Sequence, residues 1–317
     1  MKLVVVGSIA LDSVRTPFGQ RANALGGSAT YFSYSASFFT KVGLVGVVGK
    51  DFPQEHLALL RKRKIDLAGL QTVEGETFRW SGMYEYDLNE AKTLETHLNV
   101  FERFKPELPE SYKDTPAVFL ANIDPDLQLE VLSQVRQPKL VACDTMNLWI
   151  STKKSSLLNL LKRVNLFVLN EGEARQLTGQ SSLIKAGQEI RSWGPAYVVI
   201  KKGEHGALLF TPRSILSAPA FPLEEVYDPT GAGDTFAGGL MGFLSQKGAK
   251  LNDTLIHQGL FYGTVMASFN VEKFSLERLK TVKPAEIRGR LKKLRNMVTL
   301  QKFPSSNNFR QGSMKKR

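Results

Sequence analysis

The sequence predicts a layered α/β domain with a central, mainly parallel sheet and a small antiparallel β insert. Two observations predict the layers. Short apolar runs rich in Val, Leu and Ile recur along the chain, as strands buried on both faces require. Segments of helical spacing separate them, and such strand–helix–strand repetition implies right-handed crossovers between parallel strands. The insert rests on a third observation. In Thr77–Tyr86 the even positions carry Phe78, Trp80, Gly82, Tyr84 and Tyr86 between mostly polar neighbours. That is period two, the pattern of an antiparallel strand with one covered face.

Taken in order, the predicted core strands are Leu3–Val6, Val42–Val48, Ala117–Ala121, Leu140–Cys143, Leu166–Leu169 and Tyr197–Ile200. The predicted helices between them are Ser28–Phe39, Gln54–Lys64, Leu127–Val135, Ser155–Arg163 and Ile184–Trp193, each with amphipathic spacing. Thr93–Phe101 is expected to pair with the Thr77–Tyr86 strand, so the insert spans approximately 71–101, with 11–25 as an added part. A lid, an oligomer contact and a hairpin packed on the core all fit its pattern. A further helix should start near Ala232 and run through Phe236, Leu240 and Phe243.

Composition narrows the function classes. The chain has 317 residues, 42% of them hydrophobic and 23% charged, enough for one large α/β domain over 1–299. Its single cysteine excludes a disulfide framework and a multi-cysteine zinc site. His56, His97, His205 and His257 show no metal-ligand spacing, and Cys143 lies among strand residues. The opening apolar run is too short for a signal-peptide core and no later run reaches membrane-span length, so a cytoplasmic location without membrane contact is expected. From Glu286 onward there are ten Lys/Arg and one acid, which accounts for nine of the twelve net positive charges. Residues 300–317 therefore read as a basic, disordered tail, and without interleaved aromatics they do not predict a nucleic-acid partner.

The most informative string is Asp228-Pro229-Thr230-Gly231-Ala232-Gly233-Asp234-Thr235-Phe236. Its small residues let the backbone turn tightly against a ligand, and the helix start beyond them suits an anion. Asp234 in the same turn would repel a phosphate, but it could accept a proton from an attacking hydroxyl. Alone, the same residues would serve as a glycine-rich helix start whose acid complements the helix dipole.

The full string resembles the C-terminal motif of the ribokinase-like (PfkB) carbohydrate kinase family. Further segments are similar to that family in the expected order, over roughly residues 1–285. The resemblance implies a three-layer ribokinase-like domain with a small antiparallel β lid. It implies a kinase moving the γ-phosphoryl group of ATP, with Mg²⁺, to a hydroxyl of a sugar or, alternatively, a nucleoside. In the family the glycine turn, here Gly231, Ala232 and Gly233 with Thr230 beside it, forms an anion hole, and the Asp, here Asp234, activates the acceptor. Asp12, in Gly7-Ser8-Ile9-Ala10-Leu11-Asp12, corresponds to the residue that binds substrate hydroxyls; a carboxylate accepting two O–H groups suits a vicinal diol. Gly26 and Gly27 resemble the family's di-glycine at the substrate.

Asn170 and Glu173 match its Asn-x-x-Glu element, which organises Mg²⁺ and the nucleotide phosphates, often through water. Lys201, Gly203 and Gly206 resemble the turn beside the triphosphate. By the same resemblance, Asp228 is a candidate for a monovalent cation, K⁺. Asp144-Thr145-Met146-Asn147 looks like an Asp-x-Asn element near the active site. Where many sugar-specific members follow it with Arg, this chain has Leu148-Trp149-Ile150. Where they place a sugar-binding Asn after the di-glycine, it has Tyr31, which with the aromatics of the insert hints at a flat acceptor. Those aromatics fit a lid-to-lid homodimer contact equally well. A ligand sensor that keeps the fold without turnover is the reading from another class, and it would be favoured by loss of Asp234 or the glycines.

Overall fold

The computed structural model describes residues 1–89 and 91–299, so the expected tail at 300–317 lies outside the described residues. In chain order the strands are β1 (Leu3–Val6), β2 (Ala10–Thr16), β3 (Gly19–Gly26), β4 (Val42–Gly49), β5 (Asp66–Val73), β6 (Arg79–Met83) and β7 (Lys92–His97). They continue as β8 (Ala117–Leu120), β9 (Leu140–Cys143), β10 (Leu166–Asn170), β11 (Tyr197–Lys201), β12 (Ala207–Phe210) and β13 (Ile215–Ala218). Nine of them form one sheet in the order β13-β12-β11-β10-β9-β8-β1-β4-β5, parallel except at β11–β12 and β12–β13. The other four form a small sheet, β3-β2-β6-β7.

Alternation along the central strands produces the three layers. Leu3, Val5, Phe119, Val168 and Val199 point to one face, where they pack with the helices Ser28–Ala36, Ala232–Gln246 and Asp253–Asn270. Val4, Val6, Leu120, Phe167 and Leu169 point to the other, against Val131, Leu157, Leu160 and Ile190 of the remaining helices. Both faces are dry, which is why these strands read as continuous apolar runs. In the helix Ala232–Gln246 the small residues let elements close up. A side chain at Gly238 would sit 2.4 Å from the Phe32 carbonyl oxygen, and one at Gly239 would sit 2.8 Å from that of Tyr262.

The small sheet departs from the expected insert in two ways. Gln71–Val73 pair with β4 as the end of β5, so they belong to the large sheet, and the lid portion begins at β6. Its β3–β2 and β6–β7 pairings are antiparallel, whereas β2–β6 is parallel, with Asp12 beside Trp80 and Val14 beside Gly82. Among the described residues no helix is long and apolar enough to cross a membrane.

Candidate active site

The expected residues gather beyond the carboxyl ends of the parallel strands, where open α/β sheets place their ligands. Asn170 ends β10 and Lys201 ends β11, and the two are register partners. Asp144 follows β9, Ser8 follows β1, and the chain returns to this edge through Gly26 and Gly27 to start the helix Ser28–Ala36.

Asp12 comes from the small sheet. It is 5% exposed, and its carboxylate lies so close to Gly26 that any β-carbon there would be 1.9 Å from Oδ2. Burial pushes its carboxyl up to about 7; a hydrogen bond from the Gly27 backbone N–H opposes the shift, and the charges of Asp228 and Asp234 add to it. Asp12 and Asp234 therefore share one electrostatic environment although 222 positions separate them in the chain.

Gly231 is the N-cap of the helix Ala232–Gln246, in the left-handed region with φ 72°, and no side chain caps that helix start. A 15-residue helix thus presents its positive end to the site; its Ala232 N–H donates to the Pro229 carbonyl at 3.0 Å, and the next N–H, of Gly233, is left for a ligand. Asp234 stands in that first turn, partly exposed. Desolvation raises its carboxyl, and the Lys201 ammonium lowers it. Lys201 reaches over the glycine turn: its Nζ is 2.6 Å from where a Gly233 β-carbon would be. The same ammonium faces Asp144 and Glu173, both of which burial pushes up. One cation among three acids, at the mouth of an uncapped helix, is an arrangement that can hold a polyphosphate and move a proton.

Asn170 and Glu173 form a capping box: Asn170 Oδ1 accepts from the Glu173 N–H and Glu173 Oε2 accepts from the Asn170 N–H, both at 2.7 Å. The local motif is therefore a helix start, and that use fixes Glu173 rigidly while leaving its Oε1. Two neighbouring atoms, Asp144 Oδ1 and Thr145 Oγ1, are buried with no hydrogen-bond partner. Acceptor oxygens of this kind fit a hydrated Mg²⁺ held through water; a direct cage of three acids or imidazoles is absent among the described residues. Gly203 and Gly206 shape the β11–β12 turn with φ of 52° and 84°, and Lys202 N–H donates to the Gly206 carbonyl at 2.7 Å. A β-carbon on Gly206 would be 2.1 Å from the Ala218 carbonyl oxygen.

Asp228, the candidate for K⁺, is engaged within its own turn. Asp228 is 2% exposed, its Oδ1 accepts from Thr230 N–H at 2.9 Å, and its Oδ2 accepts from Ser275 N–H at 3.0 Å. The adjoining Thr230 carbonyl accepts from Asn270 Nδ2 at 2.8 Å. Each of these oxygens accepts one N–H bond, so the turn is held together by its own donors.

Tyr31 is also placed differently from expectation. It is 2% exposed, and its ring fills the space behind Gly231, 2.3 Å from where a β-carbon would stand. No ring face remains for a substrate; Tyr31 supports the turn from below. Sequence reasoning noted two further residues without giving either a definite role. Asp144 follows a strand like the other site residues, and that position was the available signal. Tyr84 of the small sheet accepts a hydrogen bond from Thr230 Oγ1 at 3.4 Å, a contact across the cleft that no spacing reveals.

A model of the pfkB family carbohydrate kinases matches residues 2–278. A cytidine kinase of Thermococcus kodakarensis is 33% identical over 248 residues, which span 76% of this chain and 87% of that protein. The structure of a Burkholderia thailandensis nucleoside kinase in complex with ADP-inosine is similar at a TM-score of 0.78 and 18% identity, covering 92% of this chain and 95% of that one. A ribokinase-type protein of E. coli in complex with ATP and Mg²⁺ is similar at a TM-score of 0.76 and 16% identity, covering 92% and 99%.

Proposed function

Because the chain belongs to the pfkB family of carbohydrate kinases, phosphotransferases with a hydroxyl acceptor, we propose that it transfers the γ-phosphoryl group of ATP to a ribose hydroxyl of a nucleoside. The observation that carries this reading is that Asp234, in the first turn of an uncapped helix, is close enough for its charge to raise the buried Asp12 carboxyl. Asp12 accepts hydrogen bonds from the vicinal hydroxyls of the acceptor and fixes the sugar. Asp234 takes the proton of the attacking hydroxyl as its oxygen bonds the γ-phosphorus. The bond from that phosphorus to the bridging oxygen breaks, and ADP leaves with the electron pair. The N–H groups at Gly231–Gly233 and the Lys201 ammonium stabilise the charge on the transferring group.

Mg²⁺, when bound, screens the triphosphate, and Asn170, Glu173 and Asp144 would hold its water shell. The Gly203–Gly206 turn lies where the nucleotide phosphates pass. The preference for a nucleoside over a free sugar comes from the cytidine kinase relative and from the aromatic inner face of the small sheet. We place the reaction in the cytoplasm, where ATP and Mg²⁺ are abundant. Two copies would meet through the small sheet, whose Tyr86 and Leu94 are exposed. A screen of ATP consumption over nucleosides, pentoses, hexoses and inositol tests the proposal. Turnover restricted to a free sugar would replace the nucleoside, and no turnover with any alcohol would remove the kinase reading.

A further inference from the structure

We propose that the Trp80 indole is the plate on which the base of the acceptor nucleoside stacks, which makes Trp80 and Gly82 the residues that separate nucleosides from free sugars. This rests on the nucleoside reading above and goes further by assigning it a site. The face of the small sheet is settled by register. Asp12 pairs in parallel with Trp80, and Val14 with Gly82, so their side chains share one side of the sheet. That side is the inner one: Asp12, Val14 and Thr16 are all buried there, and Tyr84, two residues beyond Gly82, reaches Thr230 from it.

Five aromatic residues were candidates for contact with a flat acceptor, and the structure commits four elsewhere. Tyr31 is sealed behind Gly231. Phe78 stacks on Phe101 with centroids 5.3 Å apart, and Phe101 stacks in turn on Phe104. Tyr84 is held at Thr230. Tyr86 is 95% exposed beyond the end of β6. Trp80 alone remains, half-buried and in register with Asp12. Its ring crosses Gly82, where a β-carbon would be 2.2 Å away, and its Nε1–H donates to Thr93 Oγ1 at 3.2 Å on the far side. Thr93 is the register partner of Gly82, so the indole spans two strands with its polar edge satisfied. Such a ring is held by an anchor at its edge and by a missing side chain beside it, and half-burial leaves it surface that a base can cover. A ribose whose diol sits on Asp12 would carry its base along the same sheet face.

Base–aromatic stacking is sequence-tolerant, so the plate recognises a nucleobase as a class. Trp80→Ala should reduce the ratio of kcat/KM for nucleoside over free ribose by roughly 10- to 100-fold, mostly through nucleoside KM. Trp80→Phe should restore most of that ratio, and Gly82→Ala, which lifts the indole, should lower it as Trp80→Ala does. Fluorescence gives a second readout: nucleoside should quench tryptophan emission in the unsubstituted protein and not in Trp80→Phe. Nucleoside turnover with an unmoved ratio in Trp80→Ala, or quenching that persists in Trp80→Phe, overturns the plate and leaves the kinase reading intact. A protein that phosphorylates no nucleoside overturns both.

Discussion

Asp12 holds a proton at pH values where a free aspartate would not, and this has two measurable consequences. Its carboxyl moves from the usual 3.8 to about 7 on folding. Between those values the folded state binds a proton that the unfolded state has released, so stability falls as pH rises through the window. Asp12→Asn removes the effect: the variant should melt above the unsubstituted protein at pH 8, by about 2–4 kcal/mol in stability, with the gap closing towards pH 4. A thermal melt series over that range checks it. If the ionised carboxylate is what accepts the diol, kcat/KM for the acceptor should rise with pH through about 7. Asp234 is tested by kinetics. Asp234→Asn should lower kcat by roughly 10²–10⁴ with little change in nucleotide affinity, and an unchanged kcat removes it from the proton transfer.

At the scale of elements, the end of the helix Asp253–Asn270 carries a prediction of its own. Asn270 bonds the Thr230 carbonyl through Nδ2 and takes a bond from Thr235 Oγ1 at 3.2 Å, and it thereby ties two helices to the Asp228 turn. Because N–H donors already hold this turn together, rates in K⁺ and in tetramethylammonium should agree within about twofold; a clear K⁺ activation would assign Asp228 to a cation. The same elements show what could be read from the chain. The central strands and the helices between them were legible because burial on two faces and on one face leave different periods in the sequence. The stretch 11–25 was placed with the insert, but its division into β2 and β3 was not legible: Gly19–Asn23 is exposed, and its pairing with β2 is set by a partner rather than by pattern. The candidate site residues were named from their motifs, and the fold brings Asp12, Asn170, Glu173, Lys201 and Asp234 to one edge of the sheet. Tyr31 was misplaced because a tyrosine that stacks on a ligand and one that fills a backbone hollow look alike until Gly231 is seen against it.

At the scale of the molecule, two contacts join the sheets across the cleft. Tyr84 meets Thr230 on the acceptor side, and Asn89, in the loop after β6, packs its Oδ1 2.1 Å from where a Gly203 β-carbon would be. The loop thus touches both the Asp228–Gly233 turn and the β11–β12 turn. Replacing β6–β7 with a short linker should lower acceptor phosphorylation far more than ATP hydrolysis, which raises the ratio of the two; a fixed ratio would make the hairpin structural only. The parallel pairing of β2 with β6 has a consequence for engineering. The proposed recognition surface is woven from two stretches of chain separated by two helices and two strands of the large sheet. It cannot be moved between relatives as one cassette. A chimera that imports only 79–97 would set a foreign strand against a resident one and scramble the alignment of indole and carboxylate, so 10–26 must travel with it.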